Sequence, residues 1–118
     1  MCGVPADLPL GRFVGKECSR IRLGRCDIHF VVSDAGEILV EGDWELSDPS
    51  GTTIDRAREH GARAFHRVHQ IINLRVLRYE IHAPISFTLY FENRLSLTVF
   101  DRSDKYESFS IQPDGIYV

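Results

Sequence analysis

Apolar and polar positions alternate with a period of two along most of this chain, which is the pattern of strands with one buried face. Ile21 and Leu23 alternate with Arg20 and Arg22. Cys26, Ile28, Phe30 and Val32 continue the pattern with the opposite parity. A one-residue slip turns every side chain to the other face, so the change predicts a tight turn or bulge at Gly24-Arg25. Ser33-Asp34-Ala35-Gly36 has hairpin-turn chemistry, with glycine supplying a positive φ. Residues 37–46 read as one further strand. Ile38, Val40, Trp44 and Leu46 lie on one face, and Glu37, Leu39, Glu41, Asp43 and Glu45 on the other. Residues 75–81, Ile85 to Phe91 and Leu95 to Val99 form a second set, with Asn93 predicted at the left-handed position of its hairpin turn. Residues 106–112 predict a short strand and residues 116–118 a final edge, for a total of about eight strands.

The two sets resemble one another. Laid side by side, Cys18 matches Val76 and Ile21 matches Tyr79. Phe30 and Val32 fall near Phe87 and Leu89, and Ile38 and Val40 match Leu95 and Leu97. Between the sets the period changes: Ala57, Ala64, Phe65, Val68, Ile71 and Ile72 fit a 3.6-residue repeat. Gly61 is a poor helix former, so the firm part of that helix is expected over residues 62–72. The resulting expectation is an α+β fold in a single domain spanning residues 1–118. Curved antiparallel sheet is built from two related three-stranded meander units with one connecting helix. Residues 1–13 form an extended arm, 14–47 the first unit, 53–72 the helical link, and 73–118 the second unit and the last strands. Trp44, Phe30, Phe65, Phe87, Leu89 and Leu97 are expected in one core.

Composition narrows the function classes. The chain has 118 residues, 43% of them hydrophobic, and a net charge of −3. That balance argues against broad electrostatic binding of nucleic acid. No apolar run approaches the roughly 20 residues of a membrane-spanning helix. The first residues lack an apolar core of signal-peptide length, which points to the cytoplasm. Three cysteines without a CxxC pair predict buried free thiols and no zinc. His66 and His69 stand three apart, but no third ligand accompanies them, so neither a metal nor another cofactor is expected. No nucleophile elbow or phosphate loop appears, and the chain reads as non-enzymatic.

Charge is unevenly placed. Residues 33–48 carry six acids and no Lys or Arg, whereas residues 55–69 carry four arginines, three histidines and two acids. Glu37, Glu41, Asp43 and Glu45 share a predicted strand face and form the candidate partner-binding site, unless Arg20 and Arg22 neutralise them across the sheet. The alternative site is a small-molecule or enzymatic pocket between sheet and helix, where His66, His69 and Tyr90 converge. A third reading is self-association into a homodimer through a β edge ending at Val118.

The end of the chain carries Tyr106-Glu107-Ser108-Phe109-Ser110-Ile111. With the two meander units, this segment resembles a family of small bacterial proteins of unknown function that share a Y-E-S-aromatic-x-I motif. Members are similar to immunity proteins that neutralise toxins used between bacteria. The resemblance implies a protein-binding module that acts by occlusion on a partner, such as a basic toxin. Phe109 and Ile111 are expected to seal one end of the core.

Overall fold

Alternating sequence becomes two antiparallel sheets that face one another across a common core. The computed structural model describes residues 3–24, 27–57, 68–101, 109–112 and 116–117. These form ten strands: β1 Cys18–Leu23, β2 Ile28–Val32, β3 Gly36–Val40, β4 Trp44–Ser47, β5 Thr53–Ala57, β6 Val76–His82, β7 Ser86–Phe91, β8 Ser96–Phe100, β9 Phe109–Gln112 and β10 Ile116–Tyr117. Sheet one has the order β1-β2-β3-β9-β10, and sheet two the order β5-β4-β8-β7-β6. The two orders describe one plan used twice. A three-stranded meander, β1 to β3 or β6 to β8, stays in one sheet. The hairpin that follows it, β4–β5 or β9–β10, crosses over and completes the other sheet.

The strand registers make the repeat explicit. Cys18 pairs with Val32 and Ile21 with Phe30, while Val76 pairs with Phe91 and Tyr79 with Leu89. Both first strands carry a bulge at the same place, between Cys18 and Arg20 and between Val76 and Arg78. Cys18 with Val76 and Ile21 with Tyr79 are therefore equivalent. Beyond the first hairpin the equivalence runs two residues later than the sequence alignment placed it. Phe30 corresponds to Leu89, Val32 to Phe91, Ile38 to Leu97 and Val40 to Val99. The cause is loop length: one more residue separates Ile81 from its partner Phe87 than separates Leu23 from Ile28, where the sequence alignment implied one fewer.

The sheets are stitched at a seam where β1 meets β6. Gly15 N–H donates to Val76 O at 2.7 Å, and Asn73 N–H donates to Cys18 O at 2.6 Å. Val76 N–H donates to Lys16 O and Cys18 N–H to Leu74 O, both at 2.9 Å. Each pair is related by the same shift along the chain, so the seam has a local two-fold axis. Glu17 bridges Arg75 across that axis, with Arg75 Nε 3.9 Å from Glu17 Oε1. Both chains turn into the seam in the left-handed region, at Gly15 with φ 83° and at Asn73 with φ 71°. Glycine and asparagine are the residues that reach it most readily.

Trp44, Phe30, Phe87, Leu89 and Leu97 lie in one buried cluster, as the alternation predicts, together with Phe109 and Ile111. The sheets touch through edge-to-face rings, Phe30 on Trp44 at 6.0 Å and Phe87 on Phe109 at 5.0 Å between centroids. Such pairs add about 0.5–1.5 kcal/mol to the area they bury. The expected core residue Phe65 lies outside the described residues.

Several expectations are corrected. The fold is all-β, not α+β: residues 53–57 are strand β5, Val68–Ile71 is a short 3-10 turn, and no α-helix occurs among the described residues. Residues 58–67, most of the expected helix, lie outside them. The helical period misled because Asp55, almost fully buried, occupies the core position opposite Leu46 and breaks the apolar alternation of β5. Residues 37–46 are two strands in two sheets, because the chain bends at residues 41–43 without changing parity. The N-terminal segment is no free arm: Val4, Leu8, Leu10 and Phe13 are buried, the last two in a 3-10 turn, Leu10–Phe13. In the β7–β8 turn it is Arg94, with φ 69°, that adopts the left-handed conformation. Asn93 instead accepts the Leu95 N–H through Oδ1 at 3.1 Å.

Candidate functional site

The four acids predicted as one strand face sit on a ridge that turns the corner between the sheets. Ile38 and Val40 fill the core from β3, so Glu37 points outward from sheet one. Trp44 and Leu46 do the same from β4, so Glu45 points outward from sheet two. Glu41 is exposed and Asp43 half-buried at the bend. Phe100 N–H donates to Asp43 O at 3.0 Å and holds the bend against β8. The ridge is thus one continuous stretch of chain, although its ends belong to different sheets.

Neutralisation by Arg20 and Arg22 does not occur. Strand β2 lies between β1 and β3, and the cross-strand row reads Arg20, Val31, Glu37, Gln112. Two strand spacings put Arg20 roughly 10 Å from Glu37 at the backbone. Glu45 lies opposite Arg56 on β5 and Thr98 on β8. Among the described residues, no hydrogen bond or ion pair reaches the side chains of Glu37, Glu41 or Glu45. Ion pairs form elsewhere, at Arg78–Glu80 and Glu80–His82 on β6 and at Asp27–His29 on sheet one.

Glu37 also walls an open groove of about 700 Å³ beside the β2–β3 hairpin, together with Val31, Ala35, Gln112 and Arg12. Sequence reasoning missed this groove. Its walls come from β2, β3, β9 and the N-terminal 3-10 turn, and only the exchange of β9 into sheet one brings Gln112 there.

The alternative pocket does not assemble among the described residues. His66 lies outside them. His69 is exposed on the turn Val68–Ile71, whereas Tyr90 faces outward from β7, beneath the Arg78 guanidinium at 3.7 Å from its ring centre. No hydrogen bond or ring contact joins His69 to Tyr90, and the described residues contain no group of three His, Cys, Asp or Glu suited to a metal ion.

Around Tyr90 the outer face of sheet two is polar and internally paired. Thr88 Oγ1 lies 2.8 Å from Thr98 Oγ1, and Arg78 donates to Glu80 Oε1 at 2.6 Å. The bond from Arg78 holds the Glu80 carboxyl below its usual range, and Glu80 in turn raises Arg78. Cys18, buried at the seam, has its thiol pushed up to about 11 by burial. A thiol held so high is a poor nucleophile. The edge strand β10, predicted as a self-association edge, is only two residues long among the described residues.

Compared with known protein families, with curated proteins and with solved structures, the chain matches none. No helix among the described residues is long and apolar enough to cross a membrane.

Proposed function

We propose that this chain is a non-enzymatic protein-binding module that presents its acidic corner ridge to a basic surface on another protein. The carrying observation is that Glu37, Glu41 and Glu45 project outward and receive no ion pair among the described residues. Carboxylates that repel one another and receive no ion pair raise the local negative potential, which steers a cationic partner and fixes its orientation. Placement of Glu37 on the third strand of one sheet and of Glu45 on the second strand of the other makes the ends of the ridge rigid, with Glu41 at the bend between them. A rigid ridge needs little ordering on binding. The groove beside Glu37 gives the ridge relief into which a partner side chain fits. Occlusion of a toxin, as in immunity proteins, is the form of activity that the terminal Y-E-S-aromatic-x-I segment suggests.

The test pairs two baits, the parent and a Glu41→Lys/Glu45→Lys variant, in a pull-down from the native host. The variant is expected to keep its circular dichroism spectrum and melting temperature, and to lose a basic protein that the parent retains. Binding of that protein to the parent should weaken as salt rises through the range where the Debye length falls below about 10 Å. Equal retention by both baits would reduce the ridge to a solvated surface and overturn the reading.

A further inference from the structure

Among the described residues, four strands end the two sheets: β1 and β10 in sheet one, β5 and β6 in sheet two. An edge offers a row of unpaired N–H and C=O groups, and proteins blunt it with shortness, bulges, inward-pointing charge or like charges. Strand β10 has two residues among those described. Strand β5 has Asp55 buried on its core side and a register shift beside Ser47. Strand β1 sets Arg20 and Arg22 on its outward face, two like charges on alternate residues.

Strand β6 shares with β1 the bulge at its start, between Val76 and Arg78, but beyond it the pairing runs regularly from Arg78 to His82 and the outward charges are of opposite sign. It has seven residues, and among the described residues 77–81 make no backbone hydrogen bond beyond their pairing with β7. Leu77 is 55% exposed and Tyr79 38%, and Val14, beside Val76 at the seam, is 40% exposed. The N-terminal 3-10 turn packs next to it, with Gly11 beside the Tyr79 hydroxyl. Arg78 is exposed and Glu80 half-buried on the outward face.

We infer that β6 is the interface for a second copy of this chain, paired antiparallel about a two-fold axis through Tyr79. In that register Arg78 faces Glu80 of the partner copy and Glu80 faces Arg78, with the bulge residue Leu77 near Ile81. Directly opposed cross-strand residues lie about 5 Å apart, within reach of an ion pair. Moving the axis by one residue in either direction opposes Glu80 to Glu80 or Arg78 to Arg78, which like-charge repulsion disfavours. The charge pattern therefore selects one register, and burial of Leu77, Tyr79 and Val14 drives association. Strand β1 shows the contrast. It is equivalent to β6 in the other half, with Arg20 at the position of Arg78 and Arg22 at that of Glu80. Self-pairing about Ile21 would set arginine against arginine. The two halves thus offer one self-complementary edge and one self-repelling edge. That combination closes a dimer and stops a fibre. This interface is separate from the acidic ridge, so either can fail without the other.

Sedimentation equilibrium of the full chain tests the interface. The parent is expected to reach the mass of two chains as concentration rises. Glu80→Arg and Arg78→Glu are each expected to weaken the dimer at least about tenfold. Mixed in equal amounts, they should restore it as a heterodimer, because the pairs are then complementary again. The double variant Arg78→Glu/Glu80→Arg should also dimerise. Circular dichroism checks that every variant is folded, and recovery on mixing itself requires two folded chains. A parent that stays monomeric at about 1 mM, single variants that dimerise as tightly as the parent, or a mixture that fails to recover would each overturn the inference.

Discussion

The first half of the molecule, β1 to β5, and the second, β6 to β10, share a skeleton and differ in charge. Their seam contacts are reciprocal: the bond from Gly15 to Val76 has its counterpart from Asn73 to Cys18. Their crossover hairpins bury equivalent residues, with Trp44 paired to Val99 in one sheet and Phe109 paired to Val40 in the other. The outward positions diverge. Arg20 and Arg22 stand where the second half has Arg78 and Glu80, and Glu17 faces Arg75 on the local axis. Links that carry the chain between sheets differ as well. The first is the acidic bend at residues 41–43, and the second begins at Asp101 and leaves the described residues. Core and seam answer to packing and backbone pairing, which both halves must satisfy alike. Surface charge is free of that constraint, so the two candidate interfaces lie where the halves disagree.

The strongest way to break the comparison is to remove the two crossover anchors in turn. Trp44→Ala and Phe109→Ala are each expected to cost about 3–5 kcal/mol, a large share of the stability of a small domain. Both losses should appear in one cooperative transition, read as a lower denaturant midpoint in equilibrium unfolding. A Phe109→Ala variant that unfolds at the parent's midpoint would remove β9 from sheet one.

A smaller effect sharpens the comparison at the seam, where Cys18 in one half has Val76 as its equivalent in the other, both buried. Burial raises the Cys18 thiol to about 11 from an ordinary value near 9. As pH rises, the unfolded chain gives up this proton first, so the stability due to the neutral thiol is complete below about pH 9. It is lost as pH climbs toward about 11. The expected loss is of order 2 kcal/mol. Cys18→Val places the second half's residue in the first half and abolishes that loss. Thermal melts of parent and variant from pH 8 to 11 should diverge upward of pH 9, with the parent the less stable. Parallel curves would show that the thiol is not buried.

The repeat was legible because period-two alternation survives in both meanders, and because Gly15–Leu46 and Asn73–Ser103 share it. Most of the predicted core followed from the same parity. Three features were not legible, each for a physical reason. The bend at residues 41–43 keeps the even-numbered residues Val40, Gly42 and Trp44 in phase, so the sequence shows one strand where the chain enters a second sheet. Asp55 puts a carboxylate in a core position and hides β5 from any apolar pattern. Crossover of each hairpin is a long-range pairing, Val40 with Phe109 and Trp44 with Val99, that no local period encodes. At the candidate site, the alternation placed Glu37 and Glu45 outward and Glu41 exposed, as they are found, whereas Asp43 is half-buried at the bend. Their spread over two sheets, and the groove beside Glu37, depended on those same long-range pairings.

The central claim is the exchange of hairpins between halves, since it builds both the ridge and the two contrasting edges. Proton–proton NOE spectroscopy of the labelled chain tests it most directly. Antiparallel pairing brings opposed backbone protons close enough for strong cross-peaks. The fold described here predicts such peaks between β3 and β9, from Ile38 to Ile111 and Val40 to Phe109. It predicts matching peaks between β4 and β8, from Trp44 to Val99 and Leu46 to Leu97. Cross-peaks from β4 to β3, as in a meander that keeps residues 36–47 in one sheet, or from β9 to β8, would contradict it.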